Sequence, residues 1–124
     1  MDDAHFLLDT NILIYIAAGA SPELRNRVEQ CAPGSIVTST LCVAEALFGI
    51  GEDDALEEVL RLFEAVPFDL AAARLFPTIP FRRGRFDRLI AAQALSRDLT
   101  IVTNEERDFA DVEGLKVENW TLPL

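Results

Sequence analysis

Short apolar runs that end in polar residues are the feature of this chain that most constrains its fold. Such runs stand at Phe6–Asp9, Ser35–Ser39 and Thr100–Asn104, and their length and composition predict buried strands. Helical patterns separate them, which is typical of a central, mainly parallel sheet of 4–5 strands. Right-handed crossovers would place helices on both faces of that sheet. The predicted fold class is therefore α/β, with three layers in the order α/β/α.

Capping and breaking residues set the predicted bounds of the helices. We expect helices at Thr10–Ala18, from Ser21 as N-cap through Pro22 onward, at Leu41–Phe48, after Asp53 or Asp54, and at Phe86–Leu99. Two further short strands are predicted at Val66–Phe68 and Leu115–Val117. The two prolines Pro77 and Pro80 interrupt the region between Val66–Phe68 and the last helix.

Composition limits the classes of protein to which the chain could belong. Its 124 residues, half of them apolar, predict one domain spanning residues 1–124. A net charge of −10 argues against a general nucleic-acid binder, which carries a basic face. Cys31 and Cys42 lack metal-ligand spacing and are predicted to be reduced thiols, as expected in the cytoplasm. We expect no signal peptide and no membrane segment, since the start is acidic and no apolar run is long enough.

Polar side chains follow three of the predicted strands. They are Asp9, Thr10 and Asn11 after the first strand, Thr38, Ser39 and Thr40 at the end of the second, and Thr103 and Asn104 at the end of the fourth. Ligands of open parallel sheets bind at the carboxyl ends of the strands, where these residues would meet. Each cluster has an alternative interpretation as a helix N-cap, because Asp, Asn, Ser and Thr are the preferred capping residues.

Two acids lie at unexpected positions of the predicted helices. Glu45 stands four residues after Leu41 and three before Phe48, so all three share one face. Asp87 shares a face with the apolar residues three, four and seven positions later, although it could also be a first-turn carboxylate that the helix dipole stabilises. A half-buried carboxylate costs several kcal/mol unless it is paired or bound to a metal. Both acids are therefore candidates for a shared site.

A shared cation would satisfy Asp9 and these two helical acids together. A fourth acid would come from the segment after the fourth strand, where Asp108 is favoured and Glu105 and Glu106 are alternatives. Ligation by oxygen alone suits magnesium or manganese better than zinc. Without a cation, clustered carboxylates would raise one another's pKa. The sequence thus predicts a magnesium or manganese site at the edge of the sheet.

With these residues identified, the chain resembles the PIN-domain ribonuclease family, in particular the VapC-like toxins of type II toxin–antitoxin systems. The resemblance rests on LLDTNILIY, TSTLCVAEALFGI, FDRLIAAQAL and TIVTNEERDF followed by GLKVENW, whose order and spacing cover nearly the whole chain. The acids of the family correspond to Asp9, Glu45, Asp87 and Asp108. Its supporting polar residues correspond to Asn11, Ser39 or Thr40, Thr103 and Asn104.

The resemblance implies a magnesium- or manganese-dependent endoribonuclease that is the toxin of a toxin–antitoxin pair. Asp9, Asp87 and Asp108 would hold the metal, and Glu45 would bind it or orient the attacking water. A cognate antitoxin would inhibit the enzyme, often with a basic residue in the acidic pocket, and a homodimer is expected. The alternative is a catalytically silent PIN-like module that binds RNA or serves as a scaffold. The chain departs from the family pattern in its short LFPTIPFRRGRFD segment and in Cys42, which stands where many members have a hydroxyl residue.

Four arginines surround Asp87 in the sequence FRRGRFDR, namely Arg82, Arg83, Arg85 and Arg88. Arginine contacts to phosphates position a nucleic acid on a protein. The segment is therefore the predicted RNA-binding patch, and a solvated turn is the alternative. Phe81 and Phe86 could stack on bases, but core packing is the favoured expectation for both.

Overall fold

The structure, a computed structural model, describes residues 4–80 and 86–123. Its strands in these ranges are β1 (Phe6–Leu8), β2 (Ile36–Ser39), β3 (Glu64–Val66), β4 (Thr100–Val102) and β5 (Val117–Glu118). Its α-helices in the same ranges are α1 (Thr10–Ala18), α2 (Pro22–Gln30), α3 (Thr40–Ile50), α4 (Asp54–Leu62), α5 (Leu70–Leu75) and α6 (Phe86–Ser96). Short 3-10 helices lie at Phe76–Thr78 and Glu106–Phe109.

The strands form one sheet in the order β3-β2-β1-β4-β5, and every neighbouring pair is parallel. Central strand β1 pairs through Leu7 with Val37 on one side and Ile101 on the other. The chain moves outward from β1 through β2 to β3 and then crosses to β4 on the opposite side of β1. The gap above β1 and β4 is therefore the switch point at which open parallel sheets bind ligands. This arrangement confirms the predicted α/β fold.

The core lies on both faces of the central strands. Leu7, Leu8, Ile101 and Val102 have no exposed surface, as expected for parallel strands that helices cover on both sides. The apolar face of α6 packs here as well, and its residues Ile90, Ala91 and Ala94 are fully buried. The predicted face of this helix is thus confirmed, which places Asp87 at the point where that face reaches the sheet edge.

Local chemistry explains where most helices begin. Ser21, Asp53 and Asp69 accept hydrogen bonds from backbone amides three residues later, at 3.1, 3.0 and 3.0 Å. These are ordinary N-caps, which satisfy one amide that the helix leaves without a partner. The predicted cap at Ser21 is confirmed, and Asp53 rather than Asp54 is the N-cap of α4.

Several elements differ from the predictions. The strand predicted at Leu115–Val117 lies at Val117–Glu118. Helix α6 ends at Ser96 rather than Leu99, because Asp98 adopts a left-handed conformation with φ 54° and turns the chain into β4. The strand predicted at Val66–Phe68 begins earlier, at Glu64, and Pro67 follows its end. Helix α5, in the sequence LAAARL, was not predicted.

No helix in residues 4–80 and 86–123 combines the length and the apolar character that crossing a membrane requires.

Candidate active site

An acidic cavity of about 190 Å³ opens at the carboxyl edge of the sheet. Carboxylates from four parts of the described chain line it, together with two polar residues and one aromatic residue. The lining residues are Asp9, Thr10, Asn11, Glu45, Phe86, Asp87, Glu105 and Asp108. The cavity thus joins the end of β1, helices α3 and α6, and the segment after β4, where sequence reasoning expected the acids to meet.

Asp9 occupies the switch point between β1 and β4. Its Oδ1 accepts a hydrogen bond from the Thr10 amide at 2.8 Å, and its Oδ2 accepts one from the Thr103 hydroxyl at 3.0 Å. The Glu105 amide in turn donates to the Thr103 oxygen at 3.0 Å. Thr103 therefore connects the end of β4 to the Asp9 carboxylate and fixes its orientation.

Burial raises the pKa of Asp9 from 3.8 to about 6. Loss of solvation is the largest cause, and the charges of Glu45 and Asp87 add to it, while the hydrogen bonds from Thr10 and Thr103 act in the opposite direction. The two hydrogen bonds therefore do not fully offset the cost of ionising this buried carboxyl group. A cation in the cavity would favour its ionised form.

Glu45 reaches the cavity from the middle of α3. Its Oε1 accepts a hydrogen bond of 2.6 Å from the Thr10 hydroxyl, which joins α3 to the start of α1. The helix-face argument that indicated Glu45 was partly wrong, since Phe48 is 93% exposed. The buried face of α3 carries Cys42 and Ala46 instead, and Glu45 stands at its margin.

Asp87 lies in the first turn of α6 and is held by the next residue. The guanidinium of Arg88 lies 3.3 Å from Asp87 Oδ2 and 3.0 Å from Asp111 Oδ1. Arg88 is only 1% exposed. The prediction that Arg88 contacts RNA is therefore wrong, because a buried guanidinium cannot reach a phosphate backbone. The other predicted RNA-binding residues, Arg82, Arg83 and Arg85, lie outside the described residues.

The segment after β4 supplies two acids to the cavity. Asp108 and Glu105 both line it, whereas Glu106 accepts a hydrogen bond from the Asn119 side chain at 2.9 Å. Asp108, the favoured fourth acid, and Glu105, its alternative, thus lie together at this wall. Glu106 faces a different neighbour.

Not every predicted supporting residue is at the cavity. Asn11 lines it and Thr103 holds Asp9, but Ser39 accepts from the Leu41 amide at 3.0 Å as a helix cap. Thr40 is exposed at the start of α3 and is not one of the residues that line the cavity. Asn104 donates to the Tyr15 hydroxyl at 3.0 Å, again outside the lining. For Ser39, the N-cap interpretation that the sequence left open describes the observed hydrogen bond.

Two lining residues carry a role that sequence reasoning did not assign. Thr10 orients Glu45, a contact between residues 35 positions apart that no local pattern indicates. Phe86 was expected in the core, but it is 47% exposed and forms part of the cavity wall. Base stacking, the less favoured expectation for Phe86, is the one that its exposure at the cavity fits.

The donor set fits a hard divalent cation that keeps some of its water. All the acidic groups at the cavity offer oxygen, the ligand that magnesium and manganese prefer. Across residues 4–80 and 86–123, no three acidic, histidine or cysteine side chains converge as a finished metal cluster. Magnesium is commonly bound through one or two carboxylates while waters complete its shell. The cavity has the chemistry for that mode of binding.

The family model described as PIN domain matches residues 6–115. The tRNA(fMet)-specific endonuclease VapC of Shigella flexneri is 33% identical to this chain, over 94% of this chain and 98% of that protein. Ribonuclease VapC2 of Haemophilus influenzae is 30% identical, over 93% and 97%. Among solved structures, VapBC2 from Rickettsia felis bound to a promoter DNA fragment has a TM-score of 0.82 at 25% identity, covering 93% of this chain and 98% of that chain.

Proposed function

Because the chain belongs to the PIN domain family, we propose that it is a magnesium- or manganese-dependent endoribonuclease and the toxin of a toxin–antitoxin pair. The observation that carries the proposal is the acidic cavity at the switch point of the sheet, lined by Asp9, Glu45, Asp87, Glu105 and Asp108. The similarity to VapC ribonucleases over almost the full length of both chains supports the RNA-cleaving activity.

Asp9, Asp87 and Asp108 are the residues proposed to hold the ion. When bound, such an ion lowers the pKa of water and stabilises negative charge on a phosphate. Glu45, whose Oε1 accepts a hydrogen bond of 2.6 Å from the Thr10 hydroxyl, is the residue proposed to accept a proton from the attacking water. The water oxygen would then bond to phosphorus, the bond to the 3′ oxygen would break, and that oxygen would take a proton from solvent water, so that the products carry a 5′-phosphate and a 3′-hydroxyl.

Phe86 and Asn11 are proposed to hold the substrate. Half of the Phe86 surface is exposed at the cavity wall, where a base next to the cleaved phosphate could stack on it. Asn11 offers an amide donor in the same cavity, suited to a phosphate oxygen. Arg82, Arg83 and Arg85 remain predicted contacts to the RNA backbone.

The proposed partner is a basic antitoxin. Solved relatives include VapBC assemblies from Rickettsia felis and Salmonella typhimurium. A chain of net charge −10 with an acidic cavity is complementary to a basic segment, which favours fast and specific association. A homodimer in the cytoplasm is part of the same proposal.

Single substitutions at the cavity test the activity. We expect Asp9→Asn and Asp87→Asn to abolish cleavage of RNA in magnesium or manganese while each variant stays folded, as circular dichroism would show. Asp54→Asn is the matched control, because this acid is exposed in the first turn of α4 and does not line the cavity. The parent and the control should lose cleavage when EDTA is added. Full activity in both cavity variants would contradict the assignment of the site, whereas a parent that cleaves no RNA would favour a catalytically silent module.

A further inference from the structure

A buried arginine lies behind the acidic wall of the cavity. Arg88 is 1% exposed, although arginine is almost never fully buried without partners. It belongs to α6, which also carries Asp87, but it does not line the cavity. A charge buried here must be compensated by the groups around it, so its contacts show what it holds.

The guanidinium of Arg88 connects three separate segments. Its Nη1 lies 3.0 Å from Asp111 Oδ1 and donates to the Pro80 carbonyl at 3.4 Å. Its Nη2 lies 3.3 Å from Asp87 Oδ2 and donates to the backbone carbonyl of Asp108. One rigid planar group thus contacts α6, the chain before it and the segment after β4. The two site acids Asp87 and Asp108 come from two of these segments.

We propose that Arg88 is a positioning residue that holds the Asp87 carboxylate and the Asp108 backbone at a fixed separation for metal binding. The fork of the guanidinium suits this purpose, because it donates in several fixed directions at once. The contact to Asp108 is through its carbonyl, so Arg88 fixes that residue without using its side chain. The proposal rests on the metal site of the proposed function and adds a group that sets its geometry.

Removal of Arg88 should change the affinity for metal in opposite directions, depending on whether Arg88 acts only through its charge or by positioning the ligands. A cation beside an anionic cavity opposes the binding of a second cation, so its loss would tighten metal binding if charge were its only effect. Loss of a group that orients metal ligands weakens binding, typically by about 10- to 100-fold. The sign of the change therefore separates the two roles.

The experiment uses the full chain with Arg88→Met and Arg88→Lys. Binding of Mn²⁺ is measured by calorimetry or electron paramagnetic resonance, and hydrogen exchange of residues 105–111 is measured without metal. We expect Arg88→Met to bind Mn²⁺ at least about tenfold more weakly than the parent, and Arg88→Lys to lose less affinity. Hydrogen exchange of residues 105–111 should be faster in both variants than in the parent. Arg88→Lys keeps the buried charge, so it decides the matter if Arg88→Met does not fold. Arg61→Met is the control, since this arginine is exposed on α4 and pairs with Glu58.

The outcomes are distinguishable. Folded variants that bind Mn²⁺ as tightly as the parent, or more tightly, would overturn the positioning role, as would unchanged exchange of residues 105–111. A parent that binds no Mn²⁺ would overturn the metal site of the proposed function and the role of Arg88 in it. Even then, the exchange measurement would still report whether Arg88 ties α6 to the segment after β4.

Discussion

Asp9 differs from the other aspartates that begin helices here in the hydrogen bond it accepts. Asp53 and Asp69 accept from the amide three residues later, as N-caps do. Asp9 accepts from the amide of the next residue, Thr10, and its second oxygen accepts from Thr103 across the sheet edge. Its carboxylate therefore joins the start of α1 to the residue that follows β4, and its burial at this position raises its pKa to about 6.

The raised pKa of Asp9 makes stability depend on pH in a predictable direction. The folded pKa of about 6 exceeds the ordinary 3.8, so the folded state retains a proton that the unfolded chain releases between these values. The stabilisation by this retained proton is therefore fully present below about pH 4. It is lost as pH rises through about 6, which lowers the free energy of unfolding by up to about 3 kcal/mol. In EDTA, Asp9→Asn should match the parent near pH 4 and exceed its free energy of unfolding near pH 7.

Urea unfolding across this pH range measures the effect. Asp54→Asn is the control, because this exposed acid lies outside the cavity and should give no gain that grows with pH. A difference between Asp9→Asn and the parent that stays constant from pH 4 to 7 would show that Asp9 is not destabilised by burial.

Phe86 should contribute to substrate binding through its ring. Stacking of one base on an aromatic side chain is worth about 1–3 kcal/mol, so Phe86→Ala should lower kcat/KM for RNA by roughly 5- to 150-fold. Phe86→Trp should preserve most activity, since it keeps a flat aromatic face. Phe48→Ala is a matched control, because Phe48 is 93% exposed but does not line the cavity. Equal losses in both alanine variants would point to a general effect on folding instead.

Among the elements, those with local signals were predictable from the sequence. Buried strands at the observed places, the cap at Ser21 and the buried face of α6 follow from apolar runs and capping chemistry. The resemblance to the PIN-domain family is confirmed by the match to residues 6–115. Asp9, Glu45 and Asp87 were also indicated correctly as neighbours at one sheet edge, because parallel strands and crossover helices leave few other places for them.

Elements and contacts set by distant parts of the chain were not predictable. The burial of Arg88 depends on Asp108 and Asp111, some twenty positions away, so its local sequence FRRGRFDR suggested a solvent-exposed patch. Similarly, Phe48 looked like a core residue by spacing, but its side chain is 93% exposed, since nothing in residues 4–80 and 86–123 packs over it. Helix α5 is six residues long, too short for periodicity to distinguish it from a loop.

For the molecule as a whole, electrostatics couples the fold to its ligands. The chain carries 21 acidic and 11 basic residues, and its cavity concentrates carboxylates where burial already raises the pKa of Asp9. RNA, which is itself anionic, would be repelled by such a site unless cations intervene. The same acids that make the metal-free protein less stable at neutral pH would thus become ligands once a divalent ion is present.

Divalent ions should therefore stabilise the whole protein. An ion that binds only the folded state adds RT ln(1 + [L]/Kd), or about 1.4 kcal/mol at ten times Kd. For a domain of 124 residues this raises Tm by several degrees. Thermal scans at neutral pH with millimolar Mn²⁺ or Mg²⁺ should show that rise for the parent and for Asp54→Asn, and a much smaller one for Asp87→Asn. Equal rises in all three proteins would mean that the ions bind elsewhere, because only Asp87 among these two acids lines the cavity.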